Sequence, residues 1–147
     1  MINIIYTVCS NCGREIEKGS KCVCGIDKER YKRYNKYVRW NKDNVLYSKF
    51  YSSVEWKRLS NYIRSKYNNM CLMCLLENKE INVADVTHHI IPIRKDFNKR
   101  LQEDNLITLC YGCHNKIDHE NITEEYIKHM MELIERYEEE CSLRGSG

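Results

Sequence analysis

Nine cysteines and a short series of histidines carry the chemistry open to this chain. Two Cys-x-x-Cys pairs, Cys71/Cys74 and Cys110/Cys113, lie around His88, His89, Asn105 and His114. Four thiolates supplied as two knuckles make the closed tetrahedron of a structural zinc ion, with no position left for a substrate. Imidazoles suit a different task. They ligate an exchangeable divalent ion, and a neutral imidazole accepts a proton from water near neutral pH. A scaffold ion beside a water-activating set points to hydrolysis. Adjacent residues of a strand point to opposite faces, so His88 and His89 can serve two different partners.

Two other readings of these residues compete. In the first, a zinc-stabilised binding module uses its histidines only for packing or phosphate contact; three histidines and an asparagine at this spacing weigh against it. In the second, Cys110-x-x-Cys113-His114 is a c-type haem attachment pattern. That one needs export and leaves Cys71 and Cys74 without a role.

The elements that must position these residues follow from the rest of the chain. It has 147 residues, 42% hydrophobic and 31% charged, which suits one domain or two very small ones of a soluble globular protein. No apolar run reaches membrane-spanning length, and the N-terminus lacks a secretory signal. A reducing cytoplasm is therefore expected, where close cysteine pairs read as metal thiolates rather than disulfides. Cys9, Cys12, Cys22 and Cys24 supply a second four-thiolate zinc site, and only Cys141 is left over. The net charge of +3 conceals an asymmetry. Residues 27–66 carry twelve Lys/Arg against four Asp/Glu, and residues 117–147 carry three against nine. The basic stretch suits a polyanion and the acidic end does not.

Residues 1–26 read as a zinc-ribbon-like module, with Gly13 and Gly25 letting each knuckle turn at positive φ. Residues 27–50 read as a basic, helical connector. In it Tyr31, Tyr34, Tyr37 and Trp40 recur every third residue among cations, which suits either phosphate contact with aromatic support or packing of the rings. Residues 52–67 read as an amphipathic helix capped by Ser52, with Glu55 completing a capping box and Trp56, Leu59, Ile63 and Tyr67 along one face. A β-like run over 81–92 ends at Pro92, and 106–109 is a second strand. A short helix begins near residues 110–112. The last helix starts near Thr123 with an apolar stripe of Ile127, Met130, Ile134, Tyr137 and Cys141. His119 and His129 read as surface residues, and Cys141 as a packing thiol.

The segments Thr87-His88-His89-Ile90-Ile91-Pro92, Asp104-Asn105-Leu106 and Leu109-Cys110-Tyr111-Gly112-Cys113-His114-Asn115 resemble the HNH endonuclease family. Phe50-Tyr51-Ser52-Ser53, followed by Trp56-Lys57 and Leu59, resembles the helix that precedes the motif in phage-type members. The resemblance covers residues 50–120 and implies a small zinc-stabilised α+β fold. Its parts are a ββα-metal core (51–120), flanking helices (121–147 being C-terminal helix and tail) and the N-terminal module. It also implies roles: His88 and His114 as ligands of a catalytic Mg²⁺, Mn²⁺ or Ni²⁺ ion, His89 as general base, and Asn105 as the residue that orients the base-bearing loop or approaches the metal. Double-stranded DNA is the implied substrate, cut to 5′-phosphate and 3′-hydroxyl ends. A terminase large subunit is the implied partner, since some phage relatives work beside it in genome packaging. A homing or restriction enzyme would share the chemistry and differ in target selectivity. Where many relatives have a Gly-rich turn after the proline, this chain has Ile93-Arg94-Lys95-Asp96-Phe97-Asn98-Lys99-Arg100. Arg94, Lys95, Lys99 and Arg100 are thus the candidate DNA contacts.

Overall fold

A hairpin of two three-residue strands, β1 (Tyr6–Val8) against β2 (Glu15–Glu17), opens the fold, with Thr7 opposite Ile16. The computed structural model describes residues 5–24 and 28–145, so the expected turn at Gly25 lies outside the described residues. The chain divides into two units, Met1–Leu59 and Ser60–Gly147.

In the first unit the hairpin is followed by α1 (Lys28–Tyr34), which runs into a π-helical turn at Asn35–Arg39. The expected connector helix therefore forms but is interrupted. Asn44 accounts for the break. Its amide Nδ2 donates to the Val38 carbonyl at 2.7 Å, and its backbone N–H donates to Asn41 Oδ1 at 2.9 Å. The chain restarts as α2 (Val45–Ser52). Ser53 is extended, with φ −68° and ψ 156°, and its hydroxyl accepts from the Trp56 N–H at 3.2 Å. Helix α3 (Val54–Lys66) thus starts after Ser53 and not after Ser52. Ser52 instead closes α2, its hydroxyl donating to the Ser48 carbonyl at 2.8 Å. The rings of Phe50, Tyr51 and Trp56 cluster at centroid distances of 5.1–5.5 Å.

The second unit is built on the end of α3. Ile63 and Tyr67 are fully buried. Asn68 and Asn69 then take φ of 51° and 55°, in the left-handed region that asparagine tolerates better than other side chains, and turn the chain into the first knuckle. The expected strand over 81–92 is shorter than predicted. Met70 and Val83 form an isolated bridge, and Cys71 N–H donates to the Asn82 carbonyl at 2.8 Å, so residues 82 and 83 pair with the knuckle. Only β3 (Val86–His89) pairs with β4 (Leu106–Leu109), antiparallel, with His88 opposite Ile107 and His89 opposite Leu106. Thr87 anchors β3 to α3: its hydroxyl donates to the Ser60 carbonyl and accepts from the Ser60 hydroxyl, both at 3.1 Å. β4 is buried along its whole length, and a four-residue helix, α4 (Tyr111–His114), follows it.

Helix α5 (Glu124–Gly145) starts where expected, with the Thr123 hydroxyl accepting from the Tyr126 N–H at 3.1 Å. Its buried stripe is Met130, Leu133, Ile134 and Tyr137. Cys141 is exposed, contrary to its reading as a packing thiol, because the last turns of α5 run on past the residues that cover it. The packed part is tied down by Arg136 donating to the Leu76 carbonyl at 3.2 Å, by His129 paired with Glu77 at 2.7 Å, and by the Tyr67 and Tyr137 rings meeting edge to face. Among the described residues no helix is long and apolar enough to cross a membrane.

Candidate functional site

Cys71 and Cys74 come from the turn after α3 and the one-turn π-helix Cys74–Asn78, while Cys110 and Cys113 come from the start of α4. The β3–β4 pair joins these two segments, since Asp85 N–H donates to the Leu109 carbonyl and the Asp85 carboxylate accepts from Tyr111 N–H, both at 2.9 Å. All four thiols are buried, and their sulfurs lie within 4.8 Å of one another. Cys74 Sγ is 3.8 Å from Cys110 Sγ and 3.5 Å from Cys113 Sγ. A disulfide would need about 2.05 Å. Four sulfurs each about 2.3 Å from one tetrahedral ion stand about 3.8 Å apart, so the cluster has the dimensions of a zinc site. Its electrostatics agree. Burial pushes the Cys74 thiol up to about 12. Cys113 is pushed up by its contact with Cys110, which is itself held well below the usual thiol range by hydrogen bonds from Cys113 and Cys71. A divalent ion is what allows all four to ionise.

The N-terminal thiols form a second group of the same composition. Cys9, Cys12, Cys22 and Cys24 have sulfurs within 4.8 Å of one another, with Cys9–Cys24 at 3.8 Å and Cys12–Cys22 at 3.5 Å. Gly13, at φ +74°, donates from its N–H to the Cys9 carbonyl at 2.9 Å, which closes the Cys9–Cys12 turn. Backbone N–H groups of Asn11 and Cys12 hold the Cys9 thiol down at about 6.

The histidines converge at the junction of β3 and α4. His88, His114 and His119 have ring centroids 5.3, 5.3 and 4.6 Å apart, and one nitrogen of each lies within 4.8 Å of the others. Burial, followed by the neighbouring imidazoles, lowers His88 to about 3, and burial lowers His114 as well. Neutral rings keep a lone pair for a metal ion. Three imidazole nitrogens fit a divalent first-row transition ion, and the exposure of His119 leaves one side of the group open.

His119 was expected at the surface outside the motif. It is exposed, yet it completes this cluster. The chain turns back after α4: the Asp118 carboxylate accepts from the N–H groups of Glu120 and Asn121, and Lys95 Nζ donates to the Ile122 carbonyl at 2.6 Å. A spacing of five from His114 is not a helical face, and so periodicity gave no signal. Tyr126 was missed altogether. Its hydroxyl lies 3.2 Å from His88 Nε2, and burial pushes the phenol far above its usual range, so it stays protonated.

His89 lies on the opposite side of β3 from His88. Its Nε2 is 2.9 Å from the Arg100 carbonyl, which can only accept. Nε2 therefore carries the hydrogen in the neutral ring, and the lone pair sits on Nδ1. Burial lowers this histidine too, against the raising effect of the carbonyl.

Asn105 is 2% exposed and clamps the loop between the strands. Its Oδ1 accepts from Ile91 N–H at 2.7 Å, while its Nδ2 donates to the carbonyls of Ile91 at 3.0 Å and Lys99 at 3.3 Å. These bonds tie down the two ends of the segment that stands in this chain in place of the Gly-rich turn of many relatives. Of the loop cations, Arg94 is exposed, Lys95 is held by Ile122, and Lys99 and Arg100 sit on the short 3₁₀ helix Phe97–Leu101, with the Arg100 guanidinium 4.5 Å above the Phe97 ring.

Residues 71–120 match the family model described as HNH endonuclease. A probable HNH endonuclease of Lactococcus phage SK1 is 31% identical over 80 residues, covering 54% of this chain and 85% of that protein. The crystal structure of the HNH endonuclease of the deep-sea thermophilic bacteriophage GVE2, with manganese ion, is 37% identical and superposes with a TM-score of 0.48 over 62% of this chain and 89% of that one. With most of the Lactococcus phage protein matched, and with its paired thiols and histidines grouped around β3, β4 and α4, this chain belongs to the HNH endonuclease family and is a metal-dependent endonuclease of phage type.

Proposed function

We propose that the enzyme hydrolyses phosphodiester bonds of double-stranded DNA with His89 as general base. His88, His114 and His119 hold the catalytic divalent ion. The observation that carries this reading is the 2.9 Å contact of His89 Nε2 with the Arg100 carbonyl, which directs the basic lone pair to Nδ1. Nδ1 takes a proton from the attacking water, and the Arg100 carbonyl stabilises the imidazolium that results. Burial keeps His89 neutral beforehand, hence ready to accept. The water oxygen adds to phosphorus as the bond to the 3′-oxygen breaks, and the departing 3′-oxygen takes a proton from solvent, leaving 5′-phosphate and 3′-hydroxyl ends. A bound divalent ion supplies Lewis-acid stabilisation of the phosphate oxygens and the leaving oxygen. Asn105 keeps the loop that carries Arg100 in register with β3. Arg94, Lys99 and Arg100 contact the DNA backbone, and Lys95 contributes through its grip on the loop that bears His119.

Zinc in the Cys71/Cys74/Cys110/Cys113 group acts as scaffold, and a second zinc holds the N-terminal module at residues 1–26. Three imidazoles favour Mn²⁺ or Ni²⁺ over Mg²⁺, because nitrogen donors suit transition ions and oxygen donors suit magnesium. A terminase large subunit is the partner we assign in genome packaging, tested by co-purification with that subunit.

Nicking of supercoiled plasmid with Mg²⁺, Mn²⁺ or Ni²⁺, and its loss in EDTA, tests the reaction. His89→Ala should slow cutting by about 10²–10⁴-fold with zinc content unchanged. Equal cutting by His89→Ala and the parent would remove His89 from its role. An intact plasmid under every metal would instead identify a zinc-stabilised DNA-binding regulator.

A further inference from the structure

Away from the histidines, residues 29–40 set large rings and cations side by side in water. Tyr31, Tyr34, Tyr37 and Trp40 are 53%, 53%, 64% and 49% exposed. Arg30, Lys32, Arg33, Lys36 and Arg39 alternate with them, and Glu29 is the one acid of the stretch. Lys32 is paired with Glu29 at 2.9 Å, the Lys36 ammonium lies 5.0 Å from the Tyr37 ring centre, and the Arg39 guanidinium 5.6 Å from that of Trp40. Tyr31 and Tyr34, three residues apart on α1, are offset by about 60° around its axis. Tyr37 lies on the π-helical turn and Trp40 just beyond it, so the four rings do not form the straight apolar stripe that packing against another helix requires.

The charge identifies the class of partner, since a row of cations with one acid complements a phosphate backbone. The rings narrow it further. An aromatic face gains by stacking on a base only where that base is unstacked from its neighbours, which a duplex does not offer along its side. We propose that residues 29–40 bind single-stranded nucleic acid, with Tyr31, Tyr34, Tyr37 and Trp40 stacking on unpaired bases and the neighbouring cations following the phosphates. This surface belongs to the first unit and does not depend on the catalytic roles assigned above. It gives the enzyme a hold on an unpaired strand distinct from the duplex it cuts.

The test uses the full-length His89→Ala protein with zinc and no added Mg²⁺, Mn²⁺ or Ni²⁺, titrated with labelled oligo-dT and with a labelled duplex of equal length. Oligo-dT is expected to bind more tightly than the duplex. Tyr31→Ala and Tyr37→Ala should each lower oligo-dT affinity by about 5- to 100-fold and leave duplex affinity unchanged, while Tyr37→Phe retains it. Arg33→Glu combined with Lys36→Glu should weaken oligo-dT binding and flatten its dependence on salt. Zinc content and circular dichroism of the alanine variants report their fold, and Tyr37→Phe keeps the comparison open if one of them misfolds. Unchanged oligo-dT affinity in folded alanine variants, or equal losses on both nucleic acids, would overturn the proposal. So would concentration-dependent dimerisation, by light scattering, that Tyr37→Ala abolishes, since the rings would then meet a second copy. Binding of oligo-dT in this pattern, together with a parent protein that cuts no plasmid under Mg²⁺, Mn²⁺ or Ni²⁺, refutes the nuclease reading alone.

Discussion

Four thiols and three imidazoles are gathered within the same small unit, and their surroundings set them apart. Every thiol of the Cys71/Cys74/Cys110/Cys113 group is buried. The imidazoles are graded: His88 is buried, His114 is half-buried and His119 is exposed. A site closed on all sides holds its ion for as long as the chain stays folded. A site open on one side can exchange its ion and admit a phosphate. The lesson is that donor chemistry and depth act together. In this chain the four-sulfur group lies in the core, and the three-imidazole group reaches the surface.

Breaking the closed site should have the largest effect. Cys74→Ser removes one sulfur from a centre of a kind that contributes about 10–16 kcal/mol to folding. We expect loss of the cooperative thermal transition, one fewer zinc by elemental analysis, and no cutting; a variant that melts like the parent would show that the core stands without its staple. Brief exposure to EDTA comes next and separates the two sites kinetically. Cutting should stop while circular dichroism stays native, and added Mn²⁺ should restore it. Simultaneous loss of structure and activity would mean that the open site is no more exchangeable than the closed one.

Smaller changes probe how the open site is assembled. His119→Ala should weaken Mn²⁺ binding, read by calorimetry, more than Tyr126→Phe does. The latter removes only a hydroxyl 3.2 Å from His88 and should cost about 10- to 100-fold, as loss of a partner that orients a ligand does. Identical Mn²⁺ affinity in His119→Ala and parent would reduce the cluster to two ligands. Smallest of all is Cys141→Ser. The thiol is exposed on α5, so the melting curve should shift by less than the equivalent of about 0.5 kcal/mol.

Much of the site was legible because ligand chemistry is a property of residue type and short spacing. Cys-x-x-Cys brings two sulfurs to one ion in almost any turn, and His88-His89 on a strand must face two ways. The cap at Thr123 was legible for the same reason, since a hydroxyl three residues before Tyr126 needs only local geometry. Ser52 and Ser53 show where such reasoning stops. Both can cap a helix, and the choice fell to Ser53 because α2 extends through Ser52. The strand over 81–92 was cut short by pairing of residues 82 and 83 with the first knuckle, a contact across more than ten residues of chain.

The amino-acid sequence alone determined the donor set, the two four-cysteine groups and the separation of a basic stretch from an acidic end, because each depends on composition and near-neighbour spacing. Tertiary structure decided which other side chains reach the imidazoles. His119 arrives because the turn at Asp118 folds back after α4, and Tyr126 arrives because α5 docks its stripe of Met130, Leu133, Ile134 and Tyr137. Such meetings are set by the path of the chain and the packing of a helix, and no local periodicity encodes them.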